Sequence, residues 1–450
     1  MKAVGLDIGT STICTIVIDL TNGNVIESVS CENDASYPAE YGWESLQDPN
    51  RIVSICFSQL DKMFDEYNDV ASIGISNQMH GILYVGGGQA KSALATWQDG
   101  RGNLISDDGV SYARQMSEAT STTAATGFGL VTMLHDARKD MIPSDADAIC
   151  TIGDYIGMVL CSNNYPVMHQ SNAAGLGGFD LARGKFSTSL PTYINTALLP
   201  NIECGETVIG KYRNVPVCCA VGDNQASVFG ALGSDVSAVI NIGTGSQISA
   251  ISNTPIYYDN GLECRPYIGG KYLSVGSALC GGYSYQLLRD FFMDIAKMLG
   301  VASPNDLYER MNEYAEQALL DDSRLIVDTR FKGTRQNPSL RGSISGISVD
   351  KFTPGALCLG ILEGIICELL ELSGNIRPAL VKGQRLAASG GGVRKSAIIR
   401  RVLKERFEME VATPLCKEEA AYGSALISSV AAKILTFDEA RALIQYENRI

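Results

Sequence analysis

Histidine is scarce in this chain. Three occur in 450 residues, His80, His135 and His169, and no two stand at a spacing that a metal site would use. Basic residues are outnumbered, 36 against 49 acidic, leaving a formal net charge of −13 and no basic stripe. That balance argues against nucleic acid and against anionic membrane as partners. No apolar stretch reaches the roughly 18 residues that a membrane span needs. The 13 cysteines form no C-x-x-C pair, and Cys14, Cys56, Cys358 and Cys367 lie in apolar runs. They read as buried thiols of a reducing, cytoplasmic setting. The opening Met1-Lys2-Ala3-Val4-Gly5 runs straight into a strand, so it is not expected to be a cleavable signal. No low-complexity linker marks a domain boundary.

Glycine, by contrast, is plentiful, at 46 residues, and two glycine–hydroxyl loops are the most informative features present. The first is Leu6-Asp7-Ile8-Gly9-Thr10-Ser11-Thr12 and the second Ile240-Asn241-Ile242-Gly243-Thr244-Gly245-Ser246. Each follows an apolar run and leads into another β-rich run, which predicts strand, tight turn, strand. Glycine lets the backbone turn sharply and come close to a ligand, while the freed N–H groups and hydroxyls donate toward an anion. Either loop alone would read as a plain turn. As a pair in separate halves they predict two domains closing on one polyphosphate, and a chain of this length accommodates two or three domains.

The coarse pattern repeats between the halves. Val4–Leu6, Ile13–Asp19 and Val25–Val29 predict a three-stranded meander, and Asp48-Pro49 opens a helix with Ile52, Val53, Cys56, Leu60, Met63 and Phe64 on one face. A strand at Ser72–Ser76 follows. The second half restarts at Ala238–Ser252 and continues with a strand at Tyr272–Val275 and a helix near 285–299. Helices are expected at Pro354–Leu372, Ser396–Phe407, Glu418–Ile434 and Phe437–Tyr446, with a strand at Leu386–Ala388. The apolar run Val215–Val221 predicts one strand ending in Gly222-Asp223, and the boundary is placed near 228.

Three further segments carry chemistry. Asp223, at a strand end after glycine, reads either as a base accepting a hydroxyl proton or as an N-cap for the next helix. Gly390-Gly391-Gly392, between strand and helix, reads as a place where a flat ring or phosphate lies against backbone, or as a plain loop. Asn77-Gln78-Met79-His80-Gly81 and Thr96-Trp97-Gln98-Asp99-Gly100-Arg101 gather unlike polar groups after strands, and each reads alternatively as a capped turn or a surface loop.

In this order the segments resemble the FGGY family of carbohydrate kinases, together with Gly153-Asp154-Tyr155, Gly222-Asp223-Asn224 and Phe331-Lys332-Gly333-Thr334-Arg335. Trp97-Gln98-Asp99-Gly100-Arg101 and Ala125-Thr126-Gly127-Phe128-Gly129 look most like the sedoheptulokinases of that family; the Met-His-Gly element is shared with xylulokinases. The resemblance implies an α/β fold of two actin-like (ribonuclease H-like) ATPase domains, 1–228 and 229–450, around a central cleft. It implies ATP-dependent phosphorylation of a ketose, foremost sedoheptulose, feeding the pentose phosphate pathway, with another pentulose kinase as the alternative. By the same resemblance Asp223 matches the base, and Asp7 the carboxylate that holds Mg²⁺. Gly9, Thr10, Ser11 and Thr12 with Gly243, Thr244 and Gly245 would hold phosphates, and Gly390, Gly391 and Gly392 would face adenosine. Gln78, Met79, His80, Trp97 and Asp99, with Asp223, would line the sugar site. Two features depart from the family: Thr334 stands where many members carry Glu, and a Lys and a Trp are missing after Gly129. A non-catalytic regulator on this fold is a rival reading, against which Asp7 and Asp223 both count. So is an actin/Hsp70-type ATPase, against which the polar segments at 77–81 and 96–101 count.

Overall fold

Gly9 and the hydroxyl residues after it reverse the chain, so β1 (Lys2–Ile8) and β2 (Thr12–Asp19) pair antiparallel from Lys2 opposite Asp19 to Ile8 opposite Ile13. β3 (Val25–Glu32) completes the meander. α1 (Pro49–Glu66) begins as its sequence dictates: the Asp48 side chain accepts the Asn50 N–H, and proline takes the first turn, where no N–H is needed. Ile52, Cys56, Leu60 and Met63 of α1 share one apolar core with Val4 and Leu6 of β1. β4 (Val70–Asn77) then runs parallel to β1. β5 (Val208–Tyr212), β6 (Val215–Cys218) and β7 (Val221–Gly222) follow, giving the order β5-β6-β4-β1-β2-β3, with β7 also on β4. The run Val215–Val221 is therefore not one strand. The Cys219 N–H bonds the Thr207 carbonyl at 2.9 Å, and the chain rejoins β4 only at Val221. α2 (Asp223–Ala231) follows directly.

The computed structural model describes residues 1–256, 262–302, 304–334, 337–374, 376 and 383–447. Arg335 of the Phe331–Arg335 segment lies outside the described residues. The chain forms two units. One comprises Met1–Ser234, Arg265–Tyr272 and Glu418–Gln445, and the other Asp235–Cys264, Leu273–Lys417 and Tyr446–Ile450. The second repeats the plan of the first. β8 (Val236–Ile242) and β9 (Ser246–Ser252) pair antiparallel across the second glycine loop. With β10 (Leu262–Pro266), β11 (Tyr272–Ala278), β12 (Arg385–Ser389) and β13 (Val411–Ala412), the order is β10-β11-β9-β8-β12-β13. Each sheet thus holds a hairpin across a glycine loop whose first strand pairs parallel with a later one. α3 (Gly282–Met298), α4 (Leu307–Leu320), α5 (Pro354–Ser373) and α6 (Ala397–Phe407) contribute to the second core, which includes Leu288, Ala315, Leu359, Ile366 and Leu403.

The helix near the C-terminus, α7 (Glu419–Ala431), returns to the first unit and lies on its sheet backbone to backbone. A Cβ on Gly5 would stand 1.9 Å from the Ala421 carbonyl oxygen, and one on Gly74 would stand 1.8 Å from that of Ser424. Gly423 meets α2 in the same way, its Cβ position 1.9 Å from the Ala226 oxygen. Only glycine permits this approach. Ser72 and Ser428 close the contact through their hydroxyls at 2.9 Å. The last helix ends at Ala442, short of the expected Tyr446, because the Tyr422 hydroxyl takes the Leu443 carbonyl and Tyr446 bridges to Pro414. Among the described residues, no helix is long and apolar enough to cross a membrane.

Gly74→Ala forces a methyl into carbonyl oxygen, so it should cost about 2–4 kcal/mol, at or beyond the usual range for overpacking. Gly42→Ala, where nothing lies within 4 Å of the new Cβ, should change stability by less than about 0.5 kcal/mol. Denaturant melts of both variants check this; equal midpoints would show that α7 has room to lift.

Candidate functional site

Register brings the chemistry of the first unit to one sheet edge. Asp7 lies opposite Ser76 and Ile8 opposite Asn77, while on the other side of β4 Val221 lies opposite Ser76 and Gly222 opposite Asn77. Three parallel strands therefore end together, with Asp7 on one flank and Asp223 on the other. Carboxyl ends of parallel strands are where open α/β sheets place ligands. Asp7 accepts the Ser76 hydroxyl at 2.7 Å. Asp223 is the first residue of α2, whose N-cap is Gly222, and its Oδ1 accepts the adjacent Asn224 N–H at 2.7 Å. The helix is thus not side-chain capped by Asp223.

Both carboxylates keep some exposure, yet the protein around them removes much of their hydration. Burial pushes Asp7 up to about 6, with Ser76 pulling the other way. Burial pushes Asp223 up to about 7, and repulsion from Asp7 adds to it, against the Asn224 N–H and the positive Arg265. Arg265, whose Nη1 donates to Asn224 Oδ1 at 3.3 Å, carried no signal in the sequence. Two mutually repelling, reachable carboxylates fit a hard divalent cation that keeps most of its water. Among the described residues no group of three or more acidic, histidine or cysteine side chains stands ready to enclose one.

Beside Asp7, the first glycine loop is tied to the polar segments. The Thr10 hydroxyl donates to Gln78 Oε1 at 2.9 Å, Gln78 Nε2 to Gln47 Oε1 at 2.8 Å, and Gln47 Nε2 back to the Thr10 carbonyl at 2.8 Å. The Trp97 indole N–H donates to the same Thr10 hydroxyl at 2.9 Å, while the ring stays 47% exposed. Ser11 and Thr12 are exposed. Met79 is buried, its sulfur 2.8 Å from where a Cβ on Gly222 would stand. His80 is held in the left-handed region at φ 77°, a conformation that costs about 1–3 kcal/mol for a non-glycine residue. Its Nδ1 donates to the Gly175 carbonyl at 2.6 Å, and its ring lies flat on Phe128 at 4.4 Å. Phe128 belongs to the Ala125–Gly129 segment, which also touches Trp97: a Cβ on Gly127 would stand 2.0 Å from the Trp97 oxygen.

Asp99 stands apart from this surface. It is completely buried, its oxygens held by Arg101 Nε at 2.8 Å and Nη2 at 3.1 Å and by the Ser45 N–H at 3.2 Å. Arg101 continues to Asp136 at 2.7 Å. Asp99 therefore faces Arg101 and backbone where a sugar contact was expected. Asp154 is likewise internal, closing a capping box with Thr151, and burial pushes it up to about 7.

In the second unit the two remaining glycine segments meet. Asn241 pairs with Ser389 in register and donates to its hydroxyl at 2.9 Å. Gly390, at φ 91°, comes so close to Ile242 that a Cβ would stand 2.5 Å from its oxygen. Gly391 faces open space. The Gly243 and Thr244 carbonyls receive the Gly282 N–H at 2.7 Å and the Gly281 N–H at 2.9 Å, so the start of α3 braces this loop. Lys332 lies over the Tyr283 ring at 3.8 Å.

Residues 2–240 match the model of the N-terminal domain of the FGGY family of carbohydrate kinases, and 238–432 that of its C-terminal domain. The chain belongs to that family. It is an ATP-dependent sugar kinase of the FGGY family, with the two-domain actin-like ATPase fold. Mouse sedoheptulokinase is 26% identical over 94% of this chain and 96% of its own length. Xylulose kinase from Staphylococcus xylosus is 24% identical over 99% and 95%. The crystal structure of gluconate kinase from Lactobacillus acidophilus superposes with a TM-score of 0.83 at 21% identity, covering 99% of this chain and 92% of that one.

The carboxylate pair of this FGGY kinase has a consequence for stability. Asp7 is raised in the folded state, so between about pH 4 and pH 6 the native chain binds the proton that the unfolded chain releases. Stability therefore falls as pH rises through that window, and the penalty is complete above it. Asp7→Asn removes the charge and should stabilise the nucleotide-free protein at pH 8 by on the order of 1–2 kcal/mol, with little gain at pH 4. Denaturant midpoints at the two pH values measure this; a gain equal at both would show that charge is not its cause.

Proposed function

We propose that this FGGY kinase transfers the γ-phosphoryl group of ATP to the terminal primary hydroxyl of a ketose, foremost sedoheptulose, forming sedoheptulose 7-phosphate in the cytoplasm. Asp223 takes the hydroxyl proton. Its place at the β7–α2 junction, beside Asp7 and reachable from outside, is the observation that carries the assignment. Asp7 holds Mg²⁺ largely through water. That ion, when bound, offsets negative charge on the phosphates, which an acidic protein needs. Ser11 and Thr12 donate to phosphate from the first loop and Thr244 from the second, with Gly9, Gly243 and Gly245 allowing close approach. The open face at Gly391, with Gly390 and Gly392, receives adenosine.

For the sugar, Trp97, His80, Met79 and Gln78 form the contact surface, and Asp99 acts behind it by fixing Arg101. Two findings favour a seven-carbon ketose. The sedoheptulokinases are 26% identical to this chain against 24% for the xylulose kinase, and the Ala125–Gly129 segment, which distinguishes this sequence from xylulokinase-like ones, packs directly on His80 and Trp97. A site that hydrogen-bonds a hydroxyl rejects substrates lacking it, because its polar groups are then left unpaired. Sedoheptulose carries two more hydroxyl-bearing carbons than xylulose.

A coupled ADP-release assay with sedoheptulose, xylulose, ribulose and glycerol should give sedoheptulose the highest kcat/KM. A higher value for xylulose would replace the sugar and keep the kinase; no acceleration by any sugar would favour a regulator. Asp223→Asn should lower kcat roughly 10²–10⁴-fold with ATP binding little changed. Near-normal turnover in that folded variant would remove Asp223 as the base.

A further inference from the structure

The strand that delivers Asp223 is gripped from behind by residues outside every motif read from the sequence. Ser171 is completely buried, and its Oγ accepts the Gly222 N–H at 3.0 Å. Asn172, equally buried, donates through Nδ2 to the Ala220 carbonyl at 3.2 Å and to Asn77 Oδ1 at 3.1 Å. These two neighbours on the short helix Gln170–Gly175 hold β7 by an acceptor and a donor on either side of Val221. Asn77 is the β4 residue opposite Gly222, so the same amide ties both strands.

His169 orients the serine. The Ser171 N–H donates to His169 Nδ1 at 3.2 Å, so that nitrogen presents a lone pair and the ring proton sits on Nε2. Ser171 Oγ lies 2.8 Å from the same Nδ1, which draws its hydroxyl hydrogen toward the ring and turns its oxygen lone pairs toward Gly222. Burial holds His169 down to about 4, keeping the ring neutral in this acceptor role near neutral pH. Its Nε2 is buried and, among the described residues, has no hydrogen-bond partner.

We propose that His169, Ser171 and Asn172 are positioning residues for Asp223: they set the direction of the Gly222–Asp223 backbone so that the carboxylate stays in line with the substrate hydroxyl. The proposal rests on Asp223 being the base. Phosphoryl transfer is mainly positioning plus charge stabilisation, so a base displaced by a fraction of an ångström loses rate without losing substrate affinity.

The test is a double-variant cycle on the full chain with ATP and the preferred ketose, measuring kcat and both KM values. Ser171→Ala should lower kcat roughly 10–100-fold with both KM values within about twofold of wild type. In an Asp223→Asn background the same change should lower kcat by less than about twofold, since no base remains to be misplaced. Equal losses in both backgrounds, or a loss confined to KM, would overturn the positioning role. Near-normal kcat in Asp223→Asn alone would instead remove the base assignment, so the two failures are distinguishable. Should Ser171→Ala not fold, Ser171→Cys keeps the bulk with a weaker acceptor and carries the same cycle, with a smaller loss of roughly 3–30-fold expected and the same criteria.

Discussion

Asp7 and Asp223 repel each other, and the sheet holds them together regardless. Here β1 and β7 both pair with β4, so their ends are fixed by the register of that one strand. The frame is stiff because α7 rests on Gly5 and Gly74 with no side chain between, and side-chain-free contact leaves little slack to take up. Burial lifts both groups well above the usual carboxylate range, and for Asp223 the negative Asp7 adds to it. The stability lost to this pair is thus not recovered by movement, because the tight glycine contacts hold the strands that carry it.

The local geometry was legible in the residues, while its long-range support was not. The two turns announce themselves as glycine between apolar runs, although only at Gly9 would a Cβ crowd the turn, 2.9 Å from the Thr12 oxygen, and Asp48-Pro49 announces α1 because both residues serve a helix start. Nothing local says that α7, more than 400 residues from β1, completes the first unit. Its one glycine, Gly423, stands in a helix, where glycine is weakening, and its use shows only once Ala226 is seen against it. The break at Cys219 was equally hidden, since an apolar run has no mark for the one N–H that bonds elsewhere. Asp99 shows the limit for sites. A carboxylate two residues before an arginine faces either a ligand or that arginine, and only the fold chooses: Arg101 curls back and saturates it. Ser171 and Asn172 gave no signal because their work is on backbone, and backbone groups are the same at every position.

The Asp99–Arg101–Asp136 network is an expensive way to build a wall. Three buried charges lose much of their hydration, and replacing such a group with apolar residues is often neutral or stabilising. What the network supplies is rigidity beneath Trp97: Arg101 also lies under the Trp43 ring at 5.5 Å, and the Asp99 carbonyl accepts the Thr126 hydroxyl at 3.0 Å. The loop carrying the exposed indole is therefore anchored on both sides, and the segment 125–129 cannot move without disturbing it.

Thr10 then joins the first glycine loop to the polar segments at 77–81 and 96–101. Its hydroxyl has one hydrogen, engaged by Gln78, and its oxygen accepts from Trp97. Donating that hydrogen to a phosphate requires Gln78 to release it, and Gln78 in turn holds Gln47, which holds the Thr10 carbonyl. The circuit is closed, so one bond cannot be exchanged without loading the others. A ligand that displaces Gln78 or pulls on Trp97 therefore changes what the first glycine loop can offer an anion. In this architecture Gln78, Trp97 and the first glycine loop meet at a single hydroxyl, so a change at one is passed to the others.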